Sequence, residues 1–223
     1  MKHRNDNAEP GTTSAAPRRT RGRPTCSDAG GADALLQSAR SAFAKGGYEA
    51  TSVREIARAS GLDPALVAHH FGSKEALWIA VVEQIAKEAA AMTEKTAALR
   101  TISETGPRAR VEAALSILID QVFATPDVGM FFSTAATETG ERLDVLIDRI
   151  VRPYHDAFVP LLVDAIDAGE VPQQDPEIMF MVLTNGISKT VAYSHVLSPF
   201  SSLTRRPKAF KQAVLTSALA MLG

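Results

Sequence analysis

The chain has 223 residues, 45% of them hydrophobic and 22% charged, and a formal net charge of −1. That composition excludes a low-complexity chain and gives enough length for a core in one large domain or two smaller ones. The lone Cys26 excludes an intrachain disulfide and a cysteine-built metal cluster, and no run of about 18 uninterrupted apolar residues offers a membrane span.

Residues 1–28 are poor in apolar side chains and rich in Pro, Thr, Ser, Ala and Arg, the composition of a disordered arm. Arg18, Arg19, Arg21 and Arg23 crowd one short stretch of it, in a pattern suited to phosphates or to a flanking minor groove. This Arg-rich start lacks the apolar segment of a secretory signal, which points to the cytoplasm. Charge is unevenly spread. Residues 1–71 hold ten Lys/Arg against seven Asp/Glu, a net +3, whereas residues 72–223 hold fourteen against eighteen, a net −4. The basic half is therefore the one with the right sign for nucleic acid.

Asp28 or Asp33 is a candidate cap for a first helix that runs to about Lys45 and stops at Gly46-Gly47. Leu35, Leu36, Ala39, Ala42 and Phe43 form its apolar stripe. The stretch that follows, TSVREIARASGLDPALVAHHFGSKEAL from Thr51 to Leu77, organises the chain. Ser52 and Glu55 have the spacing of a capping box, and Val53, Ile56 and Ala57 give one apolar face up to about Ser60. Gly61 ends that helix. Asp63 caps the next with Pro64 in its first turn, and Leu66, Val67 and Phe71 supply inward side chains. Gly72-Ser73 closes it and caps a third helix. Two short helices about a Gly-containing turn, over 52–71, make a helix-turn-helix.

From Ser73 a linking helix runs to about Arg100, with Leu77, Val81, Ile85 and Ala89 on one face and Trp78 beside them. A helix over Pro107 to Ala124 follows, then one with Met130, Phe131 and Phe132 that ends near Gly140. Glu141 to Ala168 reads as one long amphipathic run with a kink or break expected at Pro153 or Pro160. Asp175-Pro176 starts a helix to about Leu197 that is apolar on nearly every side. A helix apolar all round must be covered all round, so part of it is expected to meet another subunit. Pro207 to Leu222 forms the last helix, with Phe210, Ala213, Val214, Ala218 and Met221 expected inward.

The Thr51–Leu77 stretch resembles the DNA-binding domain of the TetR family of transcriptional regulators. It carries the Ser-Val-Arg-x-Ile-Ala run, a Gly-containing turn, a short helix that ends in His-Phe, then Gly-Ser-Lys and Glu-x-Leu. The close resemblance covers about Ala32 to Ile79. It implies an all-α fold of about nine helices, with a DNA-binding head over 29–79 and a ligand-binding and dimerisation domain over 80–223. It also implies a homodimer through the last two helices, an effector pocket among the central helices, and binding of a near-palindromic duplex operator.

Carried over by resemblance, Ser52 and Arg54 lie near the start of the first short helix, and Arg54 matches a base- or phosphate-reading position. Pro64, Ala65 and Leu66 match the exposed start of the recognition helix. Ala68 stands where many relatives have a phosphate-bonding Tyr. His69 and His70 match backbone-facing positions, and Lys74 matches a phosphate clamp. A recognition helix so poor in polar readers leaves thymine methyls and Arg54 to carry the readout. Candidate pocket residues are Phe131, Phe132, Arg152, Tyr154, His155, Phe158 and Asn185, for a small-molecule effector of unstated class. Adjacent helical His diverge, so no metal site is expected, and no cofactor is implied. The chain lacks a phosphate-binding Gly-rich loop, a nucleophile elbow and metal-ligand spacing. A repressor is the leading expectation, with a helical protein-binding adaptor and an all-helical enzyme as the competing classes.

Overall fold

The computed structural model describes residues 28–223, with side chains from Gly30 onward, and these residues are all-helical. The Arg18–Arg23 segment lies outside them. The helices are α1 (Asp28–Ala50), α2 (Val53–Ser60), α3 (Ala65–Phe71), α4 (Lys74–Ala98), α5 (Pro107–Ala124), α6 (Pro126–Ala135), α7 (Glu141–Leu146), α8 (Arg152–Asp167), α9 (Pro176–Ala192), α10 (Ser194–Leu197) and α11 (Pro207–Ala220).

Local chemistry accounts for most of the boundaries. α1 already starts at Asp28, so Asp33 lies inside it and is not its cap. It breaks at Gly47, whose φ of 73° a side chain would resist. The Thr51 hydroxyl closes that corner by donating to the Gly47 carbonyl at 2.7 Å. Ser73 caps α4 by accepting from the Ala76 N–H at 3.0 Å, and Asp175 caps α9 by accepting from the N–H groups of Glu177 and Ile178, both at 2.9 Å. α6 ends at Ala135 rather than near Gly140.

The long run after Gly140 is broken by a π-helical turn at Ile147–Val151, ahead of Pro153, while Pro160 sits inside an intact α8. Pro153 has no N–H for the Arg149 carbonyl, and a wider turn absorbs the missing bond. α9 stops at Ala192, and Tyr193 turns the chain into the short α10.

Two apolar cores form. The body core joins α5, α8, α9 and α11 around Leu115, Phe158, Leu161 and Leu183. The head core is built on Leu35, Phe43, Ile56, Val67, Leu77 and Trp78, but it also takes in Phe131 and Ala135 of α6 and Leu146 of α7. The division expected at 79/80 is therefore bridged by packing. Arg40 of α1, almost fully buried, pairs with Glu88 of α4 and Asp127 of α6 at the same joint. Asp127 approaches Nε as an ion pair without hydrogen-bond alignment.

Met221 is half exposed; the neighbouring Leu222 is the buried residue of that pair. α9 buries Met179, Phe180, Leu183 and Ile187 but leaves Ile178, Met181 and Val182 bare at 63%, 50% and 47% exposure. No single described helix is long and apolar enough to cross a membrane.

Candidate nucleic-acid interface

The geometry of the helix-turn-helix follows from its caps. The Glu55 N–H donates to Ser52 Oγ at 3.2 Å, and the Ser52 N–H donates to the Glu55 carboxylate at 3.0 Å, which completes the capping box. That second bond holds the Glu55 carboxyl below its ordinary range. Gly61 takes a left-handed φ of 71° and its N–H returns to the end of α2. Asp63 accepts the Ala65 N–H at 2.9 Å, so its carboxylate starts α3 even though Pro64 occupies the cap position.

This arrangement sends Ile56, Ala57 and Val67 inward and leaves Ser52, Arg54, Pro64, Ala65, Ala68 and His69 exposed together on the outside. Leu66 and His70 are half-buried. His70 turns back toward Gly31 of α1. Its ring meets that of His69 edge-on at 5.0 Å, not side by side. Among the described residues no three His, Cys, Asp or Glu side chains are grouped as a metal ion would require.

Two features lay beyond the sequence reading. Arg58 is exposed one helical turn after Arg54, so α2 offers two cations on one face; the i, i+4 spacing was the available signal. Lys74 lies over the Tyr48 ring, its Nζ 4.1 Å from the centroid, and Arg142 of α7 covers the ring too, at 3.9 Å. Tyr48 also meets Trp78 edge-on, and Trp78 packs on Phe131. Trp78 is thus a joint residue, buried where the head meets α6.

A cavity of about 500 Å³ lies among α4 to α9. Its walls are largely aliphatic, with Ile85, Met92, Leu118, Leu146, Ile147 and Ile150 among them. Of the pocket residues expected from the sequence, Phe132, Tyr154 and Asn185 line it. The other four do not. Phe131 is consumed by the head core and Phe158 by the body core, because large aromatics fill cores first. Arg152 pairs with Asp148 on the surface, and His155 sits between Asp156 and Glu177 at 2.8 and 2.6 Å. Most polar wall groups are already committed locally. Thr184 donates to the Phe180 carbonyl, Asn185 to that of Met181 and Ser133 to that of Gly129, while Glu88 is held by Arg40. Burial pushes the Tyr154 phenol well above its usual pKa, so the group stays neutral.

The profile of the bacterial regulatory proteins of the TetR family matches residues 35–81, from α1 into α4. The transcriptional repressor AcnR of Corynebacterium efficiens is 39% identical over 72 residues, and that match spans 32% of this chain and 34% of the relative, about a third of its length. The transcriptional regulator BetI of Rhizobium meliloti is 36% identical over 146 residues, which cover 63% of this chain and 70% of the relative. The chain belongs to the TetR family. The profile falls on the TetR helix-turn-helix head and the BetI match extends well beyond it. The crystal structure of the transcriptional regulator FadR from Bacillus subtilis with stearoyl-CoA superposes with a TM-score of 0.61 over 86% of this chain and 99% of the neighbour at 15% identity, a likeness of fold.

Proposed function

We propose that this chain is an effector-responsive transcriptional repressor that binds a near-palindromic operator as a homodimer. The observation that carries the reading is that the helix-turn-helix leaves Arg54 and Arg58, one turn apart on α2, and Ala65 and Ala68 of α3 exposed while Ile56, Ala57 and Val67 turn inward. Arginines suit phosphates and guanine edges, and Ala65, Ala68 and Leu66 suit thymine methyls. Repression accords with the name of the AcnR relative. Ser52, His69 and Lys74 belong to the phosphate-facing rim in this reading, whereas His70, turned back onto α1, does not; the Arg18–Arg23 arm extends the rim along the duplex.

One seven-residue recognition helix reaches only a few base pairs, so specific affinity requires a second copy on a symmetric half-site. The bare apolar face of α9 (Ile178, Met181, Val182) supports dimerisation through α9 and α11. The cavity is the candidate effector site. Its largely aliphatic walls favour a mostly apolar ligand, in keeping with the acyl thioester named for the FadR neighbour, and the buried, unpartnered Tyr154 hydroxyl offers such a ligand one polar contact. Binding there would shift the population toward a head spacing that fits DNA poorly. This reading places the protein in the cytoplasm and assigns it no catalytic chemistry.

The test is selection from a random-sequence duplex pool. The proposal expects enrichment of an inverted repeat and loss of affinity in Arg54→Ala with the dimer intact. An adaptor or an enzyme would select no repeat.

A further inference from the structure

We propose that Arg142, a residue of the body, is a positioning residue for the head's contact with DNA, because it keeps Lys74 free for phosphate. The inference rests on the DNA-binding reading above and adds a control point to it.

Lys74 and Arg142 share the Tyr48 ring, with three carboxylates around them. Arg142 donates to Glu138 at 2.8 Å and to Glu49 at 3.2 Å, and lies 3.9 Å from Glu75. Glu138, four residues before Arg142 in the connection between α6 and α7, is part of the body, but Glu49 and Glu75 belong to the head, and both are largely or half exposed. The Tyr48 phenol is neutral near pH 7 and burial pushes its pKa further up, so the ring is an uncharged platform that both cations cover.

Take the guanidinium away and the local balance reverses. Glu49 and Glu75 lose their cation, and Lys74, which lies over the same Tyr48 ring and directly precedes Glu75, is left as a cation for them to draw on. An ammonium drawn to these carboxylates is lost to phosphate, and two bare carboxylates within a Debye length of about 8 Å repel the duplex. Arg142 thus sets the charge state of a head surface from outside the head.

Its position makes that control conditional. Leu143, the next residue, lines the cavity, as do Ile147, Ile150 and Val151 of the π-helical turn. α7 therefore carries a cavity wall and the guanidinium on one short helix. A ligand that displaces α7 moves Arg142 off Tyr48.

The experiment uses the full chain and a duplex selected by the wild type, with affinity read by fluorescence anisotropy over a salt series. Arg142→Ala is expected to bind about threefold to tenfold more weakly at low salt. In that background Lys74→Ala is expected to cost less than it costs the wild type. Glu49→Gln with Glu75→Gln should restore affinity to Arg142→Ala, a rescue that a merely structural role would not give. Arg142→Gln serves in its place if the alanine variant does not fold. Wild-type affinity in the variant, an unchanged Lys74→Ala penalty, or no rescue by the glutamines overturns the inference. Failure of the wild type to select any duplex overturns the DNA-binding reading and this inference with it, whereas the other outcomes leave that reading standing.

Discussion

Both carboxylate oxygens of Glu88 accept from Nη1 of Arg40 at 2.8 Å, and this pair ties a residue of the cavity wall to the helix that braces the recognition unit. Arg40 is the buried member, while Glu88 and Asp127 keep about a third and a half of their side chains exposed. The asymmetry sets the cost of breaking the cluster. Arg40→Ala frees two carboxylates that water can reach and is expected to cost about 1–3 kcal/mol. Glu88→Ala with Asp127→Ala strands a buried cation and is expected to cost more, about 3–5 kcal/mol. Urea unfolding of the three proteins ranks them; the opposite order would mean that Arg40 reaches solvent.

The capping box gives a second expectation. Ser52→Ala removes the α2 cap and should destabilise the head by about 1 kcal/mol. Glu55 adds a pH signature. Its folded pKa lies below the unfolded value, so its contribution is present above the ordinary carboxylate range and is lost as pH falls through the folded pKa. Thermal melts across the acid range should show a shallower decline in Glu55→Gln than in the wild type, whereas Ser52→Ala, which keeps the backbone N–H that holds the carboxylate, should retain most of it.

His155 titrates in the opposite sense. Its hydrogen bond to Asp156, and then that to Glu177, raise its pKa against the lowering effect of burial. A raised pKa stabilises fully below the unfolded value of 6.5 and loses that contribution as pH climbs through the folded one. Denaturant midpoints of the wild type should therefore drop as pH rises from the unfolded value toward alkaline conditions, and His155→Gln should flatten that drop. The pair ties α8 to the first turn of α9, so the effect belongs to the body.

Two glycines separate packing within the chain from packing between chains. A Cβ at Gly129 would meet Ala192 Cβ and the Ser188 carbonyl at 3.0 Å, which forces α6 off α9. Gly129→Ala is expected to destabilise by about 1–3 kcal/mol. A Cβ at Gly186 meets nothing within 4 Å in the single chain. Gly186→Ala should then gain about 0.5–1 kcal/mol of helix propensity in a monomer. If a partner helix crosses there, as dimerisation through α9 implies, the same change weakens the dimer, and sedimentation equilibrium reads the difference.

Much of the head could be read from the sequence because its signals are local. Ser52 with Glu55, Gly61, Asp63-Pro64 and Gly72-Ser73 each set a helix end through bonds within a few residues. The joints between head and body carry no such signal. Arg40 finds Glu88 across 48 residues and Arg142 finds Glu49 across 93, and neither spacing has a periodicity. The π-helical turn was announced only as a proline kink, since Pro153 tells that a bond is missing but not how the helix absorbs it. The pocket was the least legible part. Aromatics such as Phe131 and Phe158 drew attention and went into the cores, while the cavity walls are aliphatic side chains brought together by α4 to α9.

The central claim is that the exposed start of α3 meets duplex DNA twice over, once from each of two symmetric copies. Hydroxyl-radical footprinting of the selected duplex tests it most directly. The account predicts two equivalent protected patches, related by the two-fold axis of the repeat and about one helical turn or a multiple of it apart, and loss of both when Ala65→Glu places a carboxylate on that face. A single patch, or protection unchanged in Ala65→Glu, would contradict it.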